Sequence, residues 1–374
     1  MNLVLEKTIC SEAFAEAVSP DGLTLAVAGE RKVVLYRLKD LSVISTIRIA
    51  NPNAMVFLSD NQSLFILNTT GSAFLWNGTA LACLCKRKPF FADAVTIQYI
   101  RDDCILCGNR GGLWRYDVIA RKVRQLYKTS RMLQLCNCTN GILRCILFDA
   151  EEAPSTVQLL QLTDDGKPIK SGVIQLPHRY SGWINKCVWT DSDQIFISFG
   201  YAVARTPSEE PPSVATMEEK LTQLLPKEAI SQNLAEMLAE LGAMFAGRES
   251  RSALCVADAD GNLLQSITDS GNDGNLYVVG SFLVKSEEVG TERVIFYERE
   301  TLEQVCCLDR DFFMANGEPN PPTFVRHTPD GRLLIGSWSR LYVFRIQPED
   351  GCLCPLGEGK QCGADQRRPH EEHQ

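Results

Sequence analysis

Apolar and polar positions along this chain return to the same order about every forty residues: a short apolar run, a tight turn, then three further runs. The first copy, from Phe14 to Ile49, shows it as AEAVSPDG, LTLAVAGER, KVVLYRLKD and LSVISTIRI. Within it, Ser19-Pro20-Asp21-Gly22 turns the first run into the second, because Pro presets φ and Gly accepts a positive φ. Four short strands at this period predict one blade of a β-propeller.

The later copies follow the same plan. Blade two runs from Asn53 to Lys88 and turns at Ser59-Asp60-Asn61; blade three runs from about Asp93 to Thr129 and turns at Arg101-Asp102-Asp103. Blade four extends from Arg131 to about Pro177, with its turn at Asn140-Gly141. Blade five starts at Gly182, and an insertion from about Arg205 to Arg251 parts its second and third strands. Blade six spans Asn275 to Asp309, and blade seven starts at Pro322 and turns at Thr328-Pro329-Asp330-Gly331. The expected fold is an all-β, seven-bladed propeller over about residues 1–350, with a small α-helical insertion in blade five.

Blade seven lacks a fourth strand of its own, since QPEDGCLCPLGEG is rich in Pro and Gly and poor in β-formers. Leu3–Ile9, LVLEKTI, is a strand with no blade. It is expected to supply the missing rim strand, closing the ring and removing an exposed edge.

The third-strand endings VVLYRLKDL, AFLWNGTAL, LWRYDVIAR and LYVFRIQP, with the two Ser/Thr-Pro-Asp-Gly turns, resemble WD40-type and YVTN-type repeats. The Gly-His pair and the Trp-Asp dipeptide of WD40 repeats do not occur in their places, so the chain reads as a divergent member. The resemblance covers nearly all of the chain outside the insertion and the tail. It implies a rigid binding platform.

The insertion, about residues 206–250, opens on TPSEEPPSVA, which reads as linker. Thr216-Met217-Glu218-Glu219 fits a capping box for a short helix to Leu225, and Pro226 suits the first turn of a second helix. On that second helix Ile230, Leu234, Met237, Leu238, Leu241, Met244 and Phe245 form one apolar stripe, which Gly247 ends. Leaving these side chains in water costs on the order of 10 kcal/mol. The stripe therefore covers something, either the propeller's own surface as a lid or a partner. The helix's polar face carries Glu228, Glu236 and Glu240, which argues against a membrane surface.

Lettering the strands of a blade a to d from axis to rim, the b–c and d–a connections share one face. The insertion is a b–c connection. The same face is expected to carry Arg31, Arg110, Trp338, Glu151–Ser155, Lys86-Arg87-Lys88 and His178-Arg179-Tyr180. From these, Leu234, Met237, Leu238, Leu241, Met244 and Phe245 of the stripe are the candidate partner-binding residues, together with Arg31, Arg110, Arg179, Tyr180 and Trp338. The Lys86-Arg87-Lys88 triplet reads first as a solvated strand end.

Reactive chemistry finds little footing. Cys104 and Cys107, three apart on a strand, point to opposite faces and disfavour a shared metal. Cys83/Cys85 and Cys136/Cys138 share faces but have no second ligand pair in the sequence. The tail holds Cys352, Cys354, Cys362, His370 and His373, yet the spacing fits no zinc finger, and residues 351–374 are expected to be disordered. His178 and His327 each stand without a Ser or Cys elbow motif, paired aspartates sit at turns, and no Gly-Lys-Ser/Thr phosphate loop occurs. No catalytic, cofactor or metal residues are assigned.

Charge and cysteine content narrow the class further. With 38 Lys+Arg against 46 Asp+Glu, the net charge is −8, which disfavours nucleic acid. No run of about 18 apolar residues exists, and MNLVLEKTIC is not a signal peptide, so neither membrane insertion nor export is expected. Fifteen cysteines without an export signal suit reduced thiols in a cytoplasmic protein. The reading is a non-enzymatic protein–protein interaction scaffold, with another protein or peptide bound on the face of the insertion. The alternative is a lactonase-like propeller enzyme with a site over the central channel, for which four histidines are a thin supply.

Overall fold

The structure is a computed structural model. It describes residues 1–88, 90–91, 96–99, 104–149, 155–178, 184, 187–204, 248–269, 274–287 and 291–347. The chain opens on β1 (Asn2–Ile9) and then lays down antiparallel sheets in sequence order. The first sheet is β2 (Ala15–Val18), β3 (Thr24–Ala28), β4 (Lys32–Arg37) and β5 (Val43–Arg48). The second is β6 (Pro52–Phe57), β7 (Leu64–Asn68), β8 (Ala73–Trp76) and β9 (Leu81–Cys85). A six-stranded sheet follows: β10 (Thr96–Tyr99), β11 (Cys104–Asp117), β12 (Lys122–Thr139), β13 (Ile142–Phe148), β14 (Thr156–Thr163) and β15 (Pro168–Gln175). The next holds β16 (Val188–Trp189), β17 (Gln194–Ala204), β18 (Arg248–Asp258) and β19 (Leu263–Asp269), and the one after it β20 (Asn275–Val279), β21 (Phe282–Glu287), β22 (Arg293–Glu298) and β23 (Gln304–Leu308). A short pair, β24 (Met314–Ala315) and β25 (Glu318–Pro319), precedes the last sheet, β26 (Pro322–His327), β27 (Arg332–Ser337) and β28 (Leu341–Gln347).

The innermost strands touch in a closed cycle, β2, β6, β10, β12, β16, β20, β26 and back to β2, which makes the fold propeller-like. Apolar clusters fill the spaces between neighbouring units. Val27 and Tyr36 of the first sheet pack with Leu334 and Val343 of the last, for example, and Phe196 and Leu254 pack with Leu283 and Ile295.

Seven separate sheets are expected from the repeat; the described residues form six principal ones. The third and fourth units share the six-stranded sheet, because β11 and β12 continue through the expected turn and junction, and Arg110 pairs with Met132 between them. No Pro or Gly interrupts Lys122–Thr139, so nothing in the residues stops the pairing. β11 itself is sharply bent. Trp114 Nε1 donates to Asn109 Oδ1 at 3.1 Å, although five residues of straight strand span roughly 16 Å. The bend falls at Gly111 and Gly112, whose φ values of 116° and 136° are closed to other residues.

Closure by the N-terminus is as expected. β1 pairs antiparallel with β28 from Asn2↔Gln347 to Ile9↔Leu341, with a register shift between Leu5 and Lys7. Leu3 is buried beside Val284, Phe313 and Phe344, so this strand is core as well as edge cover.

The repeated turns owe their shape to local hydrogen bonds. In the first unit Ser19 Oγ donates to Asp21 Oδ1 at 2.5 Å and accepts from the Thr24 amide at 2.9 Å. Thr328, Asp330 and Arg332 repeat the arrangement in the last unit, at 2.5 Å and 3.1 Å. These side chains satisfy turn amides that a ladder leaves over.

No α-helix occurs among the described residues. The predicted helical insertion and the C-terminal tail lie outside them.

Candidate interaction face

The face that carries the b–c and d–a connections is knitted together by main-chain hydrogen bonds between adjacent loops. The Asn51 amide donates to Glu30 O at 2.6 Å and Thr69 N to Asn51 O at 3.0 Å, so one d–a loop bridges two successive b–c loops. Lys88 N donates to Gly71 O at 3.0 Å, Leu176 N to Ser155 O at 2.7 Å, and Ala13 N to Ser337 O at 3.0 Å. Asn320 completes the last junction, accepting from the Ser339 amide at 2.8 Å and donating to Ser337 Oγ at 2.7 Å. Loops tied in this way hold fixed side-chain positions, which suits a binding platform.

Arg31 and Trp338 reach the same part of this face. Arg31 is exposed and lines a groove of about 640 Å³ with Cys10, Glu12, Glu30, Lys32 and Arg340. Glu12 is fixed there, its Oε2 accepting from the Glu30 amide at 2.8 Å. Trp338 is 53% exposed and precedes Ser339, which also lines the groove. Arg31, Lys32 and Arg340 with Glu12 and Glu30 make this a polar recess of mixed charge. Arg110 is also exposed, but it stands at the bend of β11, away from this groove. Arg179, Tyr180, residues 151–154 and the whole stripe of Leu234, Met237, Leu238, Leu241, Met244 and Phe245 lie outside the described residues.

The stems of the insertion form one regular ladder. β17 and β18 pair without a register shift from Gln194↔Asp258 to Ala204↔Arg248, so residues 205–247 leave and re-enter at paired positions. His178 stacks on Tyr201 beside these stems, with ring centroids 4.2 Å apart and an interplanar angle of 7°. On the other side, Lys285 Nζ lies 2.9 Å from Ser252 Oγ of β18 and 3.0 Å from Glu287 Oε1. Arg293 Nη2 approaches the same carboxylate at 2.8 Å. Lys285, Glu287 and Ser252 are all completely buried, so this polar cluster ties β18 to the next unit and is closed to a substrate. Sequence reasoning missed it, because KSEE reads as the solvated end of a strand. His178 on Tyr201 was missed as well, since nothing local links residues 23 apart.

The remaining candidates for chemistry separate in space. His327 lines a different groove, with Ser19, Pro20 and Arg326 at the a–b turns, and His178 stands beside the insertion. Cys104 and Cys107 are buried, and burial pushes the Cys107 thiol up to about 12. Burial likewise raises Cys145 and Cys187 well above the usual thiol range and Cys255 to about 12. Thiols held protonated are packing groups rather than nucleophiles. No cluster of metal-ligating side chains occurs among the described residues, and no helix among them is long and apolar enough to cross a membrane. Compared with known proteins, the chain matches no family model and no curated protein sequence.

Proposed function

We propose that this protein is a non-enzymatic interaction scaffold, a divergent WD40-like propeller working in the reducing cytosol. It holds another protein or peptide on the face from which residues 205–247 project. The β17–β18 ladder carries this reading. Its eleven-residue strands are braced on one side by His178 on Tyr201 and on the other by Lys285 and Ser252. The bracing fixes the paired positions Ala204 and Arg248, where the chain leaves and rejoins the ladder. The apolar stripe predicted on that insertion, Leu234 to Phe245, supplies the contact, and the groove of Arg31 with Trp338 beside it supplies a second, polar one.

His178 and His327 stand apart in the fold, and the Ser19 and Thr328 hydroxyls in the groove of His327 are taken up by their own turns, which gives the lactonase-like alternative no support. The test is the triple variant Leu234→Glu, Leu238→Glu, Leu241→Glu. It is expected to keep the thermal transition of the ring and to lose the proteins that co-purify with the full chain. Co-purification unchanged by the three charges would remove the stripe from the binding site.

A further inference from the structure

β5 is the outer strand of the first sheet, and among the described residues it pairs with β4 alone. Ile49 N donates to Arg31 O at 3.2 Å, and the register runs on through Val33↔Ile47 and Leu35↔Ser45. Antiparallel pairs alternate in their bonding. Ser45, Ile47 and Ile49 therefore turn their main-chain groups to β4, and Thr46 and Arg48 turn theirs outward.

Other rims are covered by the neighbouring unit. Gly166 lies against Leu126 O of β12, and Gly261 against Val173 O of β15. Gln265 of β19 donates through Nε2 to Thr301 O at 2.6 Å, and Lys7 of β1 donates through Nζ to Asp40 O at 3.4 Å. The matching turn of the second unit does not reach β5: within 4 Å a Cβ on its Gly78 would meet only Gln62 Oε1, at 3.8 Å. The sequence of β5 adds little protection. Apart from a register shift at its start, Val43–Ile47 holds no Pro, Gly or charge, the features that blunt an edge. Val43 and Ile44 are 60% and 50% exposed.

The far end of the strand carries charge. Lys32 and Arg48 are direct cross-strand partners, both exposed, and neither forms an ion pair among the described residues. Like charges directly opposite destabilise a sheet, and a carboxylate on a further strand would offset them. Lys32 also lines the groove of Arg31 and Arg340, so this edge continues the proposed contact face.

We propose that β5 is extended by a strand of a partner polypeptide, with an acidic residue of that strand beside Arg48. The outward N–H and C=O groups of Thr46 and Arg48 are complementary to another extended main chain, the mode of β-strand addition. A second copy of this chain fits less well, because its own Val43–Arg48 brings another Arg48 and no carboxylate. The inference rests on the scaffold reading but not on the insertion.

The experiment uses the full chain and two fluorescein-labelled peptides, Glu-Val-Thr-Val-Thr-Val and the reverse order, one for each strand direction. The comparators are a twin N-methylated at every residue, which cannot donate, and a twin with Lys in place of Glu. One parent peptide is expected to bind about tenfold tighter than its N-methylated twin and roughly three- to tenfold tighter than its Lys twin. Thr46→Pro removes an outward donor and leaves the β4 ladder whole, so it is expected to weaken binding about tenfold at an unchanged thermal midpoint. Arg48→Glu is expected to reverse the preference between the Glu and Lys peptides, whereas Lys122→Glu, at an exposed cation on another rim, leaves it as it was. The peptide comparators need no variant, so the test stands whatever Thr46→Pro does to the fold. Equal binding of the N-methylated twin, indifference to Thr46→Pro in a folded ring, or a full chain that runs as a dimer dissociated by Thr46→Pro would each overturn the proposal. Replacing residues 205–247 leaves β5 in place and peptide binding unchanged, so failure of the edge and failure of the insertion are told apart.

Discussion

Glu6 and Arg345, 339 positions apart, meet through Glu6 Oε1 and Arg345 Nη2 at 2.6 Å on the strand pair that joins the two ends of the propeller. The ion pair marks the closure but does not hold it. Arg345 is 63% exposed, and such pairs contribute about 0–1 kcal/mol. Leu3, 1% exposed within the cluster of Phe313 and Phe344, carries more. Leu3→Ala is expected to cost about 2–5 kcal/mol, and Glu6→Gln no more than about 1 kcal/mol. Deleting residues 1–9 should leave β28 as a bare edge and lower the melting temperature far more than either. Urea unfolding of the variants checks the order, and an unchanged transition in the deletion would refute closure by β1.

Glu287 sits between Lys285 and Arg293 with its side chain completely buried. Removing one member of a buried ion pair leaves its partner's charge stranded, at about 3–5 kcal/mol. Glu287→Ala is therefore expected to destabilise by that amount. Converting Lys285 and Glu287 together to Met should cost less than the single change. Equilibrium unfolding of the single and double variants measures the difference, and a double variant weaker than the single one would contradict a closed structural cluster.

Stability should fall in alkali. Burial pushes Cys107 and Cys255 up to about 12 from an ordinary 9.0, and burial, then the neighbouring Cys85, pushes Tyr116 to about 12 from 10.0. Folded pKa values above the unfolded ones mean that the unfolded chain releases these protons first. The stabilising contribution is thus full below pH 9 and is lost as pH rises toward 12. Melting temperatures should drop steadily from pH 9 upward, and a flat profile would refute the burial of these groups. In the same folded protein at pH 8, iodoacetamide should label Cys10 and Cys83, which are exposed. Cys104, Cys107, Cys145, Cys187 and Cys255 should react only after denaturation.

The readable parts of this fold are those whose chemistry is local. Ser19-Pro20-Asp21-Gly22 and Thr328-Pro329-Asp330-Gly331 carry their turns in four residues, and the structure realises both. The closure by Leu3–Ile9 was readable as a count, one strand too many at one end and one too few at the other. The joining of the third and fourth units was not. It depends on pairing across Arg110 and Met132, and Lys122–Thr139 carries no Pro or Gly to mark where one unit ends and the next begins. The site residues divide the same way. Arg31 was placed by loop position and lines a groove with Glu12 and Arg340, whereas Trp338 is exposed next to a lining residue, Ser339.

The central claim is that the ring is a platform and residues 205–247 are what it presents. Ala204 and Arg248 are direct strand partners, so an Asn-Gly turn can replace the whole insertion and close the ladder. The decisive measurement compares this replacement with the full chain for two quantities, the thermal midpoint and the proteins recovered by quantitative affinity purification. The account predicts a midpoint within a few degrees of the full chain and loss of its principal partner. An intact ring that still recovers the same partner would contradict it.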